Sequence, residues 1–205
     1  SHKKEVIKAS KVSGIGIEGQ AINQFMGDMY QNTNVYDNFV GIFGKNFVSP
    51  ISSSGLLYYR YYLVDSAFIG NKKCYKMTFQ PRRPQELTFI GEIWIHDTTF
   101  AVKKVNMHVA EGANINFVND IAIAKEFDRV NNKEWMLTKD ILVIDFAATE
   151  KALGFIGRKT TSYKDIILNQ PKPSSFFNDL EPIIVSDSAT DKTRNYWDKA
   201  RHDSL

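Results

Sequence analysis

From Leu87 to Val109 the chain reads LTFIGEIWIHDTTFAVKKVNMHV, with Leu87, Phe89, Ile93 and Ile95 at odd positions and Thr88, Glu92 and His96 alternating with them. That two-residue period belongs to a half-buried β-strand. His96-Asp97-Thr98-Thr99 supplies short polar side chains that bond their own backbone and suit a tight turn. Phe100 to Val109 resumes an extended, β-branched pattern, so the stretch predicts an antiparallel hairpin with long arms. Further strands flank it. Leu56 to Val64 carries Tyr58, Tyr59, Tyr61 and Tyr62, placing aromatics on both faces, and after a turn at Gly70-Asn71-Lys72, Tyr75, Met77 and Phe79 point one way with Lys76 and Thr78 the other. Beyond Glu111-Gly112-Ala113-Asn114 the chain is extended from Ile115 to Phe127, with Phe117 to Asp120 open to a short helical turn. Asn131-Asn132-Lys133 predicts a compact hairpin turn. Trp135 to Ala148 then sets Leu142, Ile144 and Phe146 on one face and Ile141 and Val143 on the other, and Phe155 to Leu168 predicts the last long strand.

The period changes over residues 18–31, where Ala21, Ile22, Phe25, Met26, Met29 and Tyr30 recur at three- and four-residue spacing. That stripe predicts a helix packed on the sheet, with Phe25, Met26 and Met29 either in the core or lining a cavity between helix and sheet. Residues 32–55 read as a connecting region, an apolar stretch broken by Gly41 and Gly44 that would form a flap over one end of the sheet, closing on the loop Ser49 to Gly55. Strands with apolar residues on both faces imply cover on both sides. The pattern therefore predicts an α+β domain over residues 1–170, a curved antiparallel sheet with a helix on one face and further cover on the other. Pro171, Pro173, Ser174 and Ser175 mark departure from the core; Phe176 to Val185 would pack back as a clip and Asp191 to Asp203 as a charged helical tail, so 171–205 lead towards a downstream region. Ser1-His2 without an initiator Met, and an end within the charged tail, read as a domain of a longer protein.

Composition narrows function by exclusion. A net charge of +3, with basic residues scattered beyond Lys3, Lys4, Lys8 and Lys11, lacks the concentrated patch that nucleic-acid binding needs. Cys74 is the single cysteine, so neither an intrachain disulfide nor a multi-cysteine metal site is available, and in its strand it reads as a buried small hydrophobe. A disulfide-free chain fits cytosol and periplasm alike. No apolar run reaches the roughly 18 residues of a membrane helix. Gly14, Gly16 and Gly19 match a dinucleotide-binding turn, but that turn acts between a parallel strand and a helix, and the strands here are antiparallel. The four histidines are dispersed; His96 and His108, on the two arms of the hairpin, would not meet. The acidic pairs Asp120 with Glu126 and Asp140 with Asp145 read as exposed strand carboxylates rather than an acid and a base. Arg82 and Arg83, held between Pro81 and Pro84, form a rigid exposed corner, solvated by default, with anion or lipid-headgroup contact as the alternative. The chain does not read as an enzyme and implies no cofactor or metal.

An aromatic-rich curved sheet with a helix across it can close over an apolar cavity. Either the aromatics fill the core, or a set comprising Phe25, Met26, Met29, Tyr75, Met77, Phe79, Phe89, Trp94 and Phe117 lines a cavity for an acyl chain.

Five stretches occur in order: Asn46 to Pro50, Tyr58 to Asp65, Cys74 to Pro81, Phe89 to Asp97 and Asn114 to Asp120. With them the chain resembles, from about Val12 onwards, a family of uncharacterised outer-membrane proteins of Gram-negative bacteria. In that family a carboxypeptidase-regulatory-like β-sandwich precedes a domain of this kind and an outer-membrane β-barrel follows it. The domain is also similar to the lipoprotein-carrier (LolA-like) fold, a half-barrel sheet closed by helices on its concave side. The resemblance implies a periplasm-facing, non-catalytic domain tethered to an outer-membrane barrel, with affinity for lipid or lipoprotein acyl chains. The alternative is a scaffold module that contacts other envelope proteins and takes no small ligand.

Overall fold

The alternation of apolar and polar residues becomes an antiparallel sheet. The computed structural model describes residues 5–7, 33–113, 115–116, 118–147, 154–177, 183–185 and 192–202. The helix expected over 18–31, with Phe25, Met26 and Met29, lies outside them, as do the Gly14-Gly16-Gly19 turn and Phe117. The described elements fall into two units, 20–164 and the terminal segments 1–19 with 165–205. In the terminal unit β1 (Glu5–Ile7) pairs in parallel with the late strand Ile183–Val185, and a 3-10 turn (Ser174–Phe177) and a helix (Arg194–His202) complete its described elements.

The described elements of the larger unit begin with the hairpin β2 (Phe39–Ile42) and β3 (Lys45–Val48), followed by the short helix α1 (Gly55–Tyr58). Seven strands follow: β4 (Tyr59–Ile69), β5 (Lys72–Pro81), β6 (Phe89–His96), β7 (Val102–Val109), β8 (Val118–Val130), β9 (Glu134–Phe146) and β10 (Phe155–Ser162). Each pairs antiparallel with the next, so the sheet runs β10-β9-β8-β7-β6-β5-β4, with β4 and β10 as its outer strands; it is not closed into a barrel.

Register sorts the side chains as the period required. Phe79 faces Gly91, Met77 faces Ile93 and Tyr75 faces Ile95. Continuing across the sheet, Met107 faces Ile123, which faces Leu142, and Ile121 faces Ile144. Most of this face is the core, where Phe79, Phe89, Ile93, Val105, Met107, Ile121, Ile123, Leu142 and Ile144 are buried. β2 and β3 lay Val40, Ile42, Phe47 and Val48 into the same core, with the Phe47 ring 5.3 Å from that of Phe89. Within the 32–55 stretch expected to form a flap, this hairpin turns at Phe43-Gly44, where φ is +49° and +70°, the two positive values of a tight hairpin turn. The Asn131-Asn132 turn has the same signature, at +51° and +54°.

Bulges bend the sheet. The pairing shifts between Trp94 and Ile95 opposite Lys103, and again between Glu126 and Phe127. An extra residue on one strand kinks it and increases its twist. Beyond that point β8 and β9 outrun β7, and Lys72 of β5 reaches Asp128 of β8 at 2.6 Å although two strands separate them in the sheet. Three strand spacings in a flat sheet would be about 14 Å. The Trp135 indole N–H of β9 likewise donates to Thr99 Oγ1 at 3.0 Å, across the tip of the β6–β7 hairpin.

Candidate functional site

Where β4, β5 and β6 meet, the described residues leave the core face incompletely covered. Tyr61, Met77, Ile93 and Ile95 form the floor of an apolar depression of 340 Å³, and Pro50, Ile51, Ser52 and Leu56 form its rim. The volume lies at the lower end of the roughly 300–1,000 Å³ of small-molecule sites.

The rim is held from the floor by two tyrosines one turn of the pleat apart. The Tyr61 hydroxyl donates to the Pro50 carbonyl at 2.6 Å. The Tyr59 hydroxyl donates to the Val48 carbonyl and accepts the Phe89 N–H at 3.0 Å. Burial raises both phenols, Tyr61 to about 12, so each keeps its proton at any physiological pH. Successive turns, Ser52 N–H to Ser49 O at 3.1 Å and Gly55 N–H to Ser52 O at 3.0 Å, shape the rim itself. Gly55 sits where a Cβ would fall 2.6 Å from the Tyr61 hydroxyl and 3.1 Å from the Pro50 carbonyl, so the close seat of rim on floor requires glycine.

The residues singled out by sequence divide among different places. Met77 is in the floor, and Tyr75, opposite Ile95 on the same face, is more exposed. Phe79 and Phe89 share the face but are fully buried, Phe79 edge-on to Tyr59 at 5.7 Å. Trp94 is on the opposite face. There it lies between the ammonium groups of Lys76 and Lys104, 5.1 and 5.7 Å from its ring centroid, which pair with Glu92 at 2.7 Å and Glu126 at 3.2 Å. Phe25, Met26, Met29 and Phe117 are outside the described residues; Ile115 and Val118, on either side of Phe117, line a separate hollow of 270 Å³ with Glu111, Asn119 and Asp120. Sequence reasoning passed over Tyr61, Ile93 and Ile95 as floor residues, although Ile93 and Ile95 share the parity of Phe89; most of the rim falls within the 32–55 stretch expected to form a flap over one end of the sheet.

Few polar atoms reach the depression, and those that do are engaged: Tyr61 with Pro50, and Ser52 Oγ with Ser54 Oγ at 3.3 Å. Such a surface can hold an apolar chain by burial. Elsewhere several titratable groups have close polar partners. His108 Nδ1 is 3.0 Å from Asp120, and His96 Nδ1 is 2.9 Å from Thr99 Oγ1, so the two histidines do not meet. Asp140 is on the core face with Lys125 at 2.7 Å, while Asp145 belongs to the other face opposite Ile156. Cys74 is buried and its thiol is pushed up by that burial. Among the described residues no three His, Cys, Asp or Glu side chains group as metal ligands, and no helix is long and apolar enough to cross a membrane.

The polar group that sequence reasoning did not weigh is Lys125. Its ammonium is fully buried among Val105, Ile123 and Leu142, the positions across and beside it in the register. Its parity was the available signal, two residues after Ile123 on a strand whose alternate positions are core.

The chain belongs to a family described as "Family of unknown function (DUF5686)", which it matches over residues 1–166. No curated protein and no solved structure matches it.

Proposed function

We propose that this chain is a non-catalytic domain that faces the periplasm of a Gram-negative cell, tethered to an outer-membrane β-barrel, and that it holds an acyl chain of a lipid or lipoprotein on the core face of its sheet. The observation that carries this reading is the 340 Å³ depression of Tyr61, Met77, Ile93 and Ile95 under the Pro50–Leu56 rim. Its walls offer apolar contact and its few polar atoms are spent on one another, which favours an unbranched hydrocarbon over a polar metabolite. Bulge-driven bending of the sheet agrees with a LolA-like half-barrel. The five ordered motifs support a position between a carboxypeptidase-regulatory-like domain and a barrel.

Fluorescent fatty-acid titration tests it. Met77→Glu puts a carboxylate into the half-buried floor and should weaken binding more than tenfold, while Phe68→Ser, on the exposed part of β4, should leave it unchanged. Equal binding by wild type and Met77→Glu, with both folded, would remove the depression from the account.

The second reading, a scaffold for envelope proteins, is favoured by β4 itself. It is an outer strand with Leu63, Val64 and Phe68 exposed, a surface on which another chain's strand can pair. A protein that takes up no fatty acid but cross-links to envelope partners through Phe68→Cys would support it.

A further inference from the structure

We infer that the tip formed by α1 and the Arg82-Arg83 corner is a membrane-docking element that seats on an anionic phospholipid surface. This rests on the tip's own composition and geometry and holds whether or not the depression takes a ligand.

Leu56 and Leu57 project from the tip with 73% and 69% of their surface exposed. Two adjacent leucines bared to this extent on a four-residue helix are a protrusion, whereas a peptide partner is received by a groove or a strand edge. The display is rigid. Leu57 N–H bonds Ser54 O at 2.9 Å, Ser53 N–H and Oγ bond Asn38 Oδ1 at 3.2 and 3.1 Å, and Gly55 is wedged against Tyr61 and Pro50.

Arginines border the leucine helix in sequence and, through Arg82, in contact. Arg82 is tied to the helix through its N–H to Tyr58 O at 2.7 Å and its Nε to Leu56 O at 2.9 Å. Its neighbour Arg83 is exposed between Pro81 and Pro84, and Arg60 is exposed at the start of β4. Two carboxylates share this end: Glu86, 3.3 Å from Arg83, and Glu111, on the turn whose Gly112 abuts Gln85. Three guanidiniums thus outnumber them. Apolar side chains that enter the acyl boundary, with arginines beside them at headgroup depth, combine the two attractions that hold a peripheral protein on an anionic leaflet.

The test is sedimentation of the 205-residue chain with vesicles of equimolar phosphatidylglycerol and phosphatidylcholine, against vesicles of phosphatidylcholine alone. Wild type should partition to the anionic vesicles. Leu57→Ser, which does not line the depression, should lower the partition about tenfold, and Arg60→Gln and Arg83→Gln about fivefold each, with Arg83→Lys restoring binding. A polarity-sensitive label on Leu57→Cys, reporting selectively because Cys74 is buried, should brighten on binding. Wild type that stays in solution, partition equal on neutral vesicles, or Leu57→Ser that binds as wild type would each overturn the inference. Failure here with fatty-acid binding intact would leave the depression standing, and the reverse result would leave the tip standing.

Discussion

Replacing Asp140 with Ala removes the carboxylate that faces Lys125 across β8 and β9. In the native sheet the two are 2.7 Å apart, with the lysine side chain 0% and the aspartate side chain 8% exposed. Removing one member of a buried pair leaves the other charged in a medium that cannot solvate it, at a cost of about 3–5 kcal/mol. For a chain of this size each kcal/mol moves the thermal midpoint by roughly 2–4 °C, so Asp140→Ala should melt on the order of 10 °C lower. Lys125→Met with Asp140→Leu removes both charges and keeps the volume, and should come within a few degrees of wild type or above it. The pH dependence has a definite sign. Burial lowers the Lys125 ammonium below its ordinary 10.5, Asp140 opposes that, and the charge of Lys159 adds to it. A folded value below the unfolded one means that the unfolded chain binds more protons between the two, so stability rises with pH across that window. Without Asp140 the window widens, and the deficit of Asp140→Ala should shrink as pH rises from neutrality towards 10.5. Calorimetry of wild type and the two variants at neutral and alkaline pH reads both effects. An Asp140→Ala loss below about 1 kcal/mol, typical of an exposed pair, would refute the reasoning, as would a deficit that grows with pH.

Gly91→Ala places a Cβ 2.2 Å from Asn106 O and 2.7 Å from Met107 Cα, both backbone, so β6 and β7 must part; urea denaturation should show a loss of about 3 kcal/mol. Tyr59→Phe strips the buried Val48 carbonyl of its donor and the Phe89 N–H of its acceptor, which should cost about 2 kcal/mol by thermal melts. Burial would raise Asp128, yet hydrogen bonds from Lys72, the Arg129 N–H and Lys103 hold its carboxyl at about 2. Its folded value being the lower, its contribution is present above the ordinary 3.8 and is lost as pH falls towards 2. The gap in melting temperature between wild type and Asp128→Asn should therefore close across that interval.

Parity made the sheet legible. The alternation of Phe89 and Ile93 with Glu92 and His96, and of Leu142, Ile144 and Phe146 with their neighbours, is the burial pattern the strands show. The same parity separates Trp94 from Phe89, and Trp94 duly stands among lysines and glutamates on the other face. The β2–β3 hairpin was hidden because Gly41 and Gly44 resemble loop punctuation, whereas Gly44 is half of a two-residue turn and Gly41 an exposed strand position. Bulges escaped the pattern as well: Lys103 breaks the alternation of β7 because it is the extra residue there, and its ammonium turns to the Phe127 carbonyl at 2.9 Å. The depression depends on a rim and a floor drawn from separate elements, joined by hydrogen bonds such as Tyr61 to Pro50 that no local period encodes.

Native mass spectrometry of the purified chain, before and after incubation with palmitate, tests the acyl-chain reading most directly. The account predicts one fatty acid or lipid bound per chain, lost in Met77→Glu while the fold persists. An apo mass that takes up no palmitate would contradict it, as would uptake unchanged by Met77→Glu.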